Sequence, residues 1–399
     1  MSCIKQKSLF QNDCPTYTIN LDKPEEERWA HIVPDFKDKI HLATKLADDM
    51  LGQTAQSVLV PLLGVACKTN AVLYCNELKG IARDTGIEVG RVLMLQLAYE
   101  AFAACTSVVV QGPRHPIHIR TMDWDLPELK ALTINVVYKS RGRIVFHGTT
   151  WAGYIGILTG MKPRSFSVSI NYRRTRQCSD SPAMAFSKNI YRCIAGYWPI
   201  GYLVREILTS QKCYSDAVTE FQNSELIAPT YITICGTKKY EGAIITRDRS
   251  AGVRATDNHI TRLVDGNLVQ ANMDHHRDEE MTDEVFRNRE EDWQDICESR
   301  ARKSFVQRAL EQIDGVYNIN NLGLIMATDP CFSKELTIYT SLMIPALRSM
   351  KTWTKVPVKL QRRGKKMFTS SIRASKQKNP QQILSNSNTL KNTLKKYHK

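Results

Sequence analysis

Acidic side chains are missing from one whole end of this sequence. Residues 351–399 hold 14 lysines and arginines and no aspartate or glutamate. The rest of the chain carries 41 basic and 40 acidic side chains, so the net charge of +15 belongs to the C-terminal end. Averaging that charge into a basic, nucleic-acid-binding whole is therefore excluded, because such binding needs the charge on a recognition surface. None of the 11 cysteines stands in C-x-x-C spacing, which removes zinc ribbons and thioredoxin-type redox motifs. No uninterrupted apolar run reaches the length of a membrane-crossing helix. Neither an Asn-x-Ser/Thr sequon nor, at Met1 to Ser8, an apolar leader core is present. The expectation is a cytoplasmic protein, or a sequence without its leader.

What is present suffices for one large domain or two small ones, with a sizeable core. Residues 34–104 read as mainly helical. Phe36, Ile40, Ala43, Ala47 and Met50 fall near helical spacing after a capping Asp35, and further helix is predicted over 57–66, 71–83 and 87–104. Ahead of them, Tyr17 to Leu21 reads as a strand. From Cys105 the pattern turns to short β-rich runs at 105–110, 115–121, 132–138, 143–149, 154–159 and 165–171, separated by turns such as Ser140-Arg141-Gly142. Helix returns over 182–222, interrupted at Tyr197 to Tyr202. A hairpin is predicted at 230–235 and 241–246, then strand at 262–272, charged helix at 283–313 and a last strand at 336–342. This order predicts an α+β fold of packed layers. Its expected parts are a helical segment at 1–104, a β-rich domain at 105–350 and a disordered basic tail at 351–399.

Cys105 stands where helix gives way to strand, and His118-Ile119-Arg120-Thr121-Met122-Asp123 occupies the next strand. Taken alone, a cysteine entering an apolar strand is also the pattern of a core thiol. Arg120 and Asp123 alone also fit a surface ion pair and a turn.

Residues 16–345 nevertheless resemble one family, that of acid ceramidase and N-acylethanolamine acid amidase. The landmarks are Tyr17-Thr18-Ile19-Asn20-Leu21-Asp22 with Arg28-Trp29, and Tyr99-Glu100 before Cys105-Thr106-Ser107. Arg120-Thr121-Met122-Asp123 and Trp151-Ala152-Gly153-Tyr154 through Gly160 follow. Later come Ala228-Pro229-Thr230-Tyr231, Glu241 to Arg249, Asn272-Met273-Asp274 and Leu336 to Leu342. Each match is weak alone; their order and spacing together are specific.

The resemblance implies an N-terminal-nucleophile hydrolase with an αββα sandwich, whose 1–104 and 105–350 parts are α- and β-subunit-like. It implies amide hydrolysis through a thioester at Cys105. The base would be the α-amino group of Cys105, freed by self-cleavage of the Ala104–Cys105 bond; such an amine titrates at about 7.7–8.0. Arg120 would support the thiolate and Asp123 would orient the amine. Asn272 would donate to the oxyanion, and a second arginine falls at Arg289, with Arg287 as the other choice. Where the family has Asn-Glu-Arg, this sequence has Asn171-Tyr172-Arg173, which puts the rate, the cleavage step or the substrate in question. Cys14 and Cys297 correspond to cysteines that the family can join across the cleavage point, and in a reducing cytosol they would remain thiols.

No cofactor and no metal is expected. His115, His118, His275 and His276 read as solvated side chains, since a metal site needs convergent ligands. The apolar segment Tyr191–Leu208 suits either a lipid-accepting groove or a plain core helix. The expected substrate is a lipid amide, ceramide first, with an N-acylethanolamine as the alternative and a non-catalytic lipid- or membrane-binding relative as a third reading. An anionic membrane surface is a candidate partner of residues 351–399; no specific nucleic acid is expected. The family's own compartment would be lysosomal.

Overall fold

The computed structural model describes residues 9–51, 53–98, 104–173, 182–251, 258–274 and 290–371. Two sheets form the centre. The larger runs β1 (Thr16–Asn20), β4 (Thr133–Ser140), β5 (Arg143–Trp151), β6 (Thr159–Lys162), β7 (Phe166–Tyr172), β8 (Thr230–Cys235), β9 (Gly242–Arg247) and β10 (His259–Arg262). The smaller runs β11 (Asn267–Gln270), β2 (Ala104–Gln111), β3 (Pro116–Asp123), β12 (Thr337–Ile344) and β13 (Ser349–Trp353). β1 joins β4 in parallel and the other pairs are antiparallel.

Alternation along the strands decides which residues meet, because successive side chains point to opposite faces. On β2, Val108 and Val110 join the apolar cluster of the outer helices, as Ile117 and Ile119 do on β3. That cluster holds Phe305, Val306, Ala309 and Leu310 of α9 (Glu290–Gln312) and Leu322, Leu324 and Ile325 of α10 (Ile319–Met326). On β7, Phe166, Val168 and Ile170 join the other large cluster, with Leu203, Ile207 and Leu208 of α7 (Ile200–Ser210) and Ala217, Val218 and Phe221 of α8 (Tyr214–Asn223). The alternate residues, Ser107, His118, Arg120, Ser167, Ser169 and Asn171, lie between the sheets, fully buried and hydrogen-bonded to one another or to nearby groups. The result is the αββα layering expected from the sequence, with an unusually polar middle.

The N-terminal part is woven into this frame. The helices α1 (Val33–Leu51), α2 (Gln53–Lys68), α3 (Cys75–Thr85) and α4 (Val89–Ala98) pack into the cluster that backs the larger sheet. Gly90 lets α4 press against α2: a Cβ there would lie 2.1 Å from the Val60 carbonyl oxygen. The buried Glu77 of α3 accepts from Arg28 Nη1 at 2.8 Å, Trp29 Nε1 at 2.8 Å and both terminal nitrogens of Arg205 on α7. Residues before Cys105 are thus tied to residues after it by a buried ionic cluster.

Several expectations are corrected. Residues 154–158 form no strand; they are a buried irregular segment after the turn at Gly153, whose φ is +89, and β6 begins at Thr159. The strand expected at 262–272 divides into β10 and β11, one in each sheet. The end expected to be unstructured from residue 351 instead continues as β13 and α11 (Val358–Met367). Helix α11 buries Leu360 and Phe368 against α9 and α10, and Gly364 permits the contact, since a Cβ there would meet Thr328 Oγ1 at 2.1 Å. Lys359, Arg362, Arg363, Lys365 and Lys366 face outward. A stripe of three apolar or small residues, Leu360, Gly364 and Phe368, among many charges is too sparse to register as a helix face. Residues 372–399 lie outside the described residues. His118 is fully buried, not solvated; His275 and His276 lie outside the described residues. Tyr202 and most of α7 are core, which settles that part of the Tyr191–Leu208 segment as packing.

Candidate active site

Cys105 is the second residue of β2, a strand flanked on both sides, and it is fully buried. Its register partner on β3 is Met122, and Ala104 stands opposite Asp123. β11 ends at Gln270, opposite Ser107. Past that end, side chains take over the bonding of the Cys105 backbone. Its N–H donates to Asn272 Oδ1 at 2.7 Å. Its carbonyl oxygen accepts from Arg302 Nη1 at 2.8 Å and from Asn171 Nδ2 at 3.1 Å. The strand start is thereby held by groups from three other elements, as buried backbone polar atoms require.

Arg120 reaches the thiol from β3. Its Nη2 lies 3.1 Å from Cys105 Sγ and 2.7 Å from the Ile170 carbonyl oxygen, and its Nη1 donates to Tyr339 Oη at 3.0 Å. Tyr339 in turn bonds Thr159 at 2.9 Å. The guanidinium thus sets a fixed positive charge against the sulfur. Asp123 accepts from Thr337 Oγ1 at 2.7 Å and Thr121 Oγ1 at 3.3 Å, and Arg302 Nη1 stands 3.7 Å from it. Burial raises its carboxyl above the ordinary value, against the pull of Arg302, Thr337 and Arg120.

The structure thus brings together Cys105, Arg120, Asp123 and Asn272. Asn272 Nδ2 donates to the Tyr172 carbonyl at 2.8 Å, while its Oδ1 holds the Cys105 nitrogen. In the continuous chain Asn272 therefore grips the nitrogen that scission would free. Arg289 and Arg287 lie outside the described residues. The arginine found beside Cys105 is Arg302 of α9, which also bonds Thr106 Oγ1 and Asn272 Oδ1, both at 3.1 Å, and Ser299 Oγ at 3.2 Å. A signal for it existed. Arg302 precedes Phe305 and Val306 by three and four positions, so it lies on the buried stripe of its helix, where an arginine needs a reason. Next to Tyr172, where the family pattern has a carboxylate, Arg173 is engaged by Asp274 through two bonds, at 2.8 and 2.9 Å. Cys14 is a buried free thiol, and the side chain of Cys297 lies outside the described residues.

No group of histidine, cysteine and acidic side chains with metal-holding geometry occurs among the described residues. A thiol, a buried arginine fork, a nitrogen held by an amide and a carboxylate on the neighbouring strand can do acyl transfer by nucleophilic attack.

Residues 12–68 match the family described as the beta subunit of N-acylethanolamine-hydrolyzing acid amidase. The chain is 28% identical to the N-acylethanolamine-hydrolyzing acid amidase of Caenorhabditis elegans, over 83% of this chain and 89% of that one. It is 31% identical to an uncharacterised protein of Acanthamoeba polyphaga mimivirus, over 65% of this chain and 78% of the other. It is 31% identical to the acid ceramidase of Homo sapiens, spanning 60% of this chain and 65% of that protein. Among solved structures it is similar to the Caenorhabditis elegans N-acylethanolamine-hydrolyzing acid amidase ortholog, with a TM-score of 0.50 at 26% identity, over 63% of this chain and all of the other. Fold and site together define an amidohydrolase of the N-terminal-nucleophile kind. The chain belongs to the family of acid ceramidase and N-acylethanolamine-hydrolyzing acid amidase.

Proposed function

We propose that this chain is a self-processing cysteine amidase that hydrolyses the amide bond of a lipid such as ceramide, giving a fatty acid and a free amine. The observation that carries the proposal is the Arg120 fork 3.1 Å from a buried Cys105 sulfur, with the Cys105 nitrogen held separately by Asn272. Processing comes first. Cys105 Sγ attacks the Ala104 carbonyl, the acyl group moves from nitrogen to sulfur, and water hydrolyses the thioester. The products are a carboxylate on Ala104 and a free α-amine on Cys105.

In turnover that amine accepts the thiol proton as sulfur attacks the substrate amide, and it returns the proton to the departing amine. Water then releases the fatty acid from the thioester. Arg120 stabilises the sulfur anion. Arg302 and Asn171 fix the Cys105 carbonyl, and so the direction in which thiol and amine project. Asp123, on the strand beside Ala104, orients the amine. Asn272 keeps its hold on the amine nitrogen after scission, and Arg302 acts beside Cys105 while Arg289 lies outside the described residues.

The second reading, hydrolysis of an N-acylethanolamine, is favoured by the similarity to the Caenorhabditis elegans amidase over most of both chains. Purified, processed protein assayed side by side on a ceramide and an N-acylethanolamine of the same acyl chain separates the two. The reading predicts release of fatty acid from at least one of them, abolished by Cys105→Ala. Release from neither, by protein shown to be cleaved before Cys105, overturns it. The outward basic residues of α11, with the charges beyond it, suit an anionic membrane surface as the place where such a substrate is met.

A further inference from the structure

His118 has no part in the chemistry above, yet it is fully buried between the sheets with both ring nitrogens bonded. Nδ1 lies 3.0 Å from Ser167 Oγ and Nε2 lies 2.8 Å from Ser169 Oγ. The bonds continue. Ser169 Oγ is 2.8 Å from Ser107 Oγ, and Ser107 Oγ is 2.7 Å from Asn171 Oδ1. Asn171 Nδ2 then contacts three carbonyl oxygens, those of Cys105, Gln270 and Ala271, each at 3.1 Å.

Proton counting fixes every direction in this series. Three carbonyls around one end of the Asn171 side chain demand its NH2 there, so Oδ1 must accept. The only hydrogen of Ser107 goes to Oδ1, and Ser107 must then accept from Ser169. Ser169 has spent its hydrogen, so it must accept from His118 Nε2. His118 therefore carries a proton on Nε2, and in the neutral ring Nδ1 accepts from Ser167. The opposite tautomer would leave two oxygens 2.8 Å apart with no hydrogen between them.

We propose that His118 is a positioning residue: its Nε2–H starts a one-way hydrogen-bond wire, through Ser169, Ser107 and Asn171, that holds the Cys105 carbonyl and so aims the thiol and amine of Cys105. The effect on turnover rests on the reading of Cys105 as the nucleophile; the proton order of the wire does not. Burial, with Arg120 on the same strand adding to it, lowers the imidazole to about 3, so the ring stays neutral through the range in which the wire must work. Among the described residues, the titratable groups that bear on it are Arg120 on its own strand and, through Ser167, Cys235 on β8, whose thiol burial pushes up.

The test pairs substitutions with a measurement that needs no substrate. His118→Gln keeps an N–H near the Nε2 position, whereas His118→Met keeps volume and loses it. Misplacing reacting groups by about 1 Å costs on the order of 10²-fold in rate. We expect His118→Met to lower kcat on the order of 10- to 100-fold with KM little changed, and His118→Gln to recover most of it. Ser107→Ala cuts the same wire further along, so the double variant His118→Met/Ser107→Ala should be no slower than the worse single variant. Equal impairment by Gln and Met, or losses that multiply in the double variant, overturns the positioning role. Independently, nitrogen-15 imidazole spectra of the Cys105→Ala protein should show a neutral His118 with the proton on Nε2 across pH 5 to 8. A proton on Nδ1, or titration in that range, overturns the wire. If no lipid amide is hydrolysed by the wild type, the proposed function is what fails, and the spectra still decide the wire.

Discussion

Replacing Arg120 by lysine keeps a positive charge on β3 and removes the fork. The guanidinium serves three partners from two nitrogens, Cys105 Sγ, the Ile170 carbonyl and Tyr339 Oη. A lysine ammonium is one point on a flexible stem and cannot hold all three positions at once. The Ile170 carbonyl is the shortest of these contacts at 2.7 Å and an obvious competitor for the single nitrogen, which would draw it away from sulfur. A hydrogen bond to a charged group contributes about 1.5–3 kcal/mol. At about 1.36 kcal/mol per factor of ten, losing the one to the thiolate predicts a roughly 10- to 150-fold fall in kcat/KM. Because Arg120 is fully buried, the fold also weakens, by about 1–3 kcal/mol for the unpaired polar groups left behind. Thermal melting monitors that cost while steady-state hydrolysis is measured well below the melting range. A lysine variant that melts lower but hydrolyses at the wild-type rate would refute the placement of Arg120 against the reacting sulfur.

Other substitutions probe the frame. Burial alone would raise the Glu77 carboxyl, but Arg205, Arg28 and Trp29 outweigh it and hold the group below its ordinary value. Its stabilising contribution is therefore complete above about pH 4.3, the unfolded value, and is lost as pH falls through the lower folded value. Denaturant unfolding from pH 7 to pH 3 should show the advantage of wild type over Glu77→Gln shrinking at the acid end; a constant difference would mean that the carboxyl titrates alike in the folded and unfolded chain. Truncation after Lys355 strips α11 from its apolar seat and should destabilise the protein, whereas truncation after Ser371 should leave melting unchanged, and equal melting of both forms would contradict the docking of α11. Changing Lys359, Arg362, Arg363, Lys365 and Lys366 to glutamine should weaken binding to anionic vesicles at low salt. The difference should vanish near 1 M salt, where the Debye length is about 3 Å, and identical vesicle binding at low salt removes the membrane role.

The sequence showed the layered α+β order and most strand positions because alternation in runs such as Ser167-Val168-Ser169-Ile170-Asn171 survives without any tertiary knowledge. It also carried the proposed nucleophile, Cys105, with Arg120 and Asp123 close by on one strand. What it could not show was contact made across long separations. Arg302 approaches Cys105 from a helix nearly two hundred positions later, and Asn272 turns its oxygen rather than its nitrogen toward Cys105. His118 looked like a surface histidine because one side chain reveals nothing of the serines that surround it. The 351–371 stretch failed for another reason: its composition suits disorder, and only the existing face of α9 and α10 gives Leu360 and Phe368 something to bury against.

The central claim is that Cys105 cuts the chain before itself and then uses the freed amine. Intact mass of freshly purified protein under denaturing conditions tests it most directly. Wild type should give two polypeptides that meet between Ala104 and Cys105, and Cys105→Ala should give one at full length. Fragments that persist in the Cys105→Ala protein, or a wild type that hydrolyses lipid amides while remaining a single chain, would contradict it.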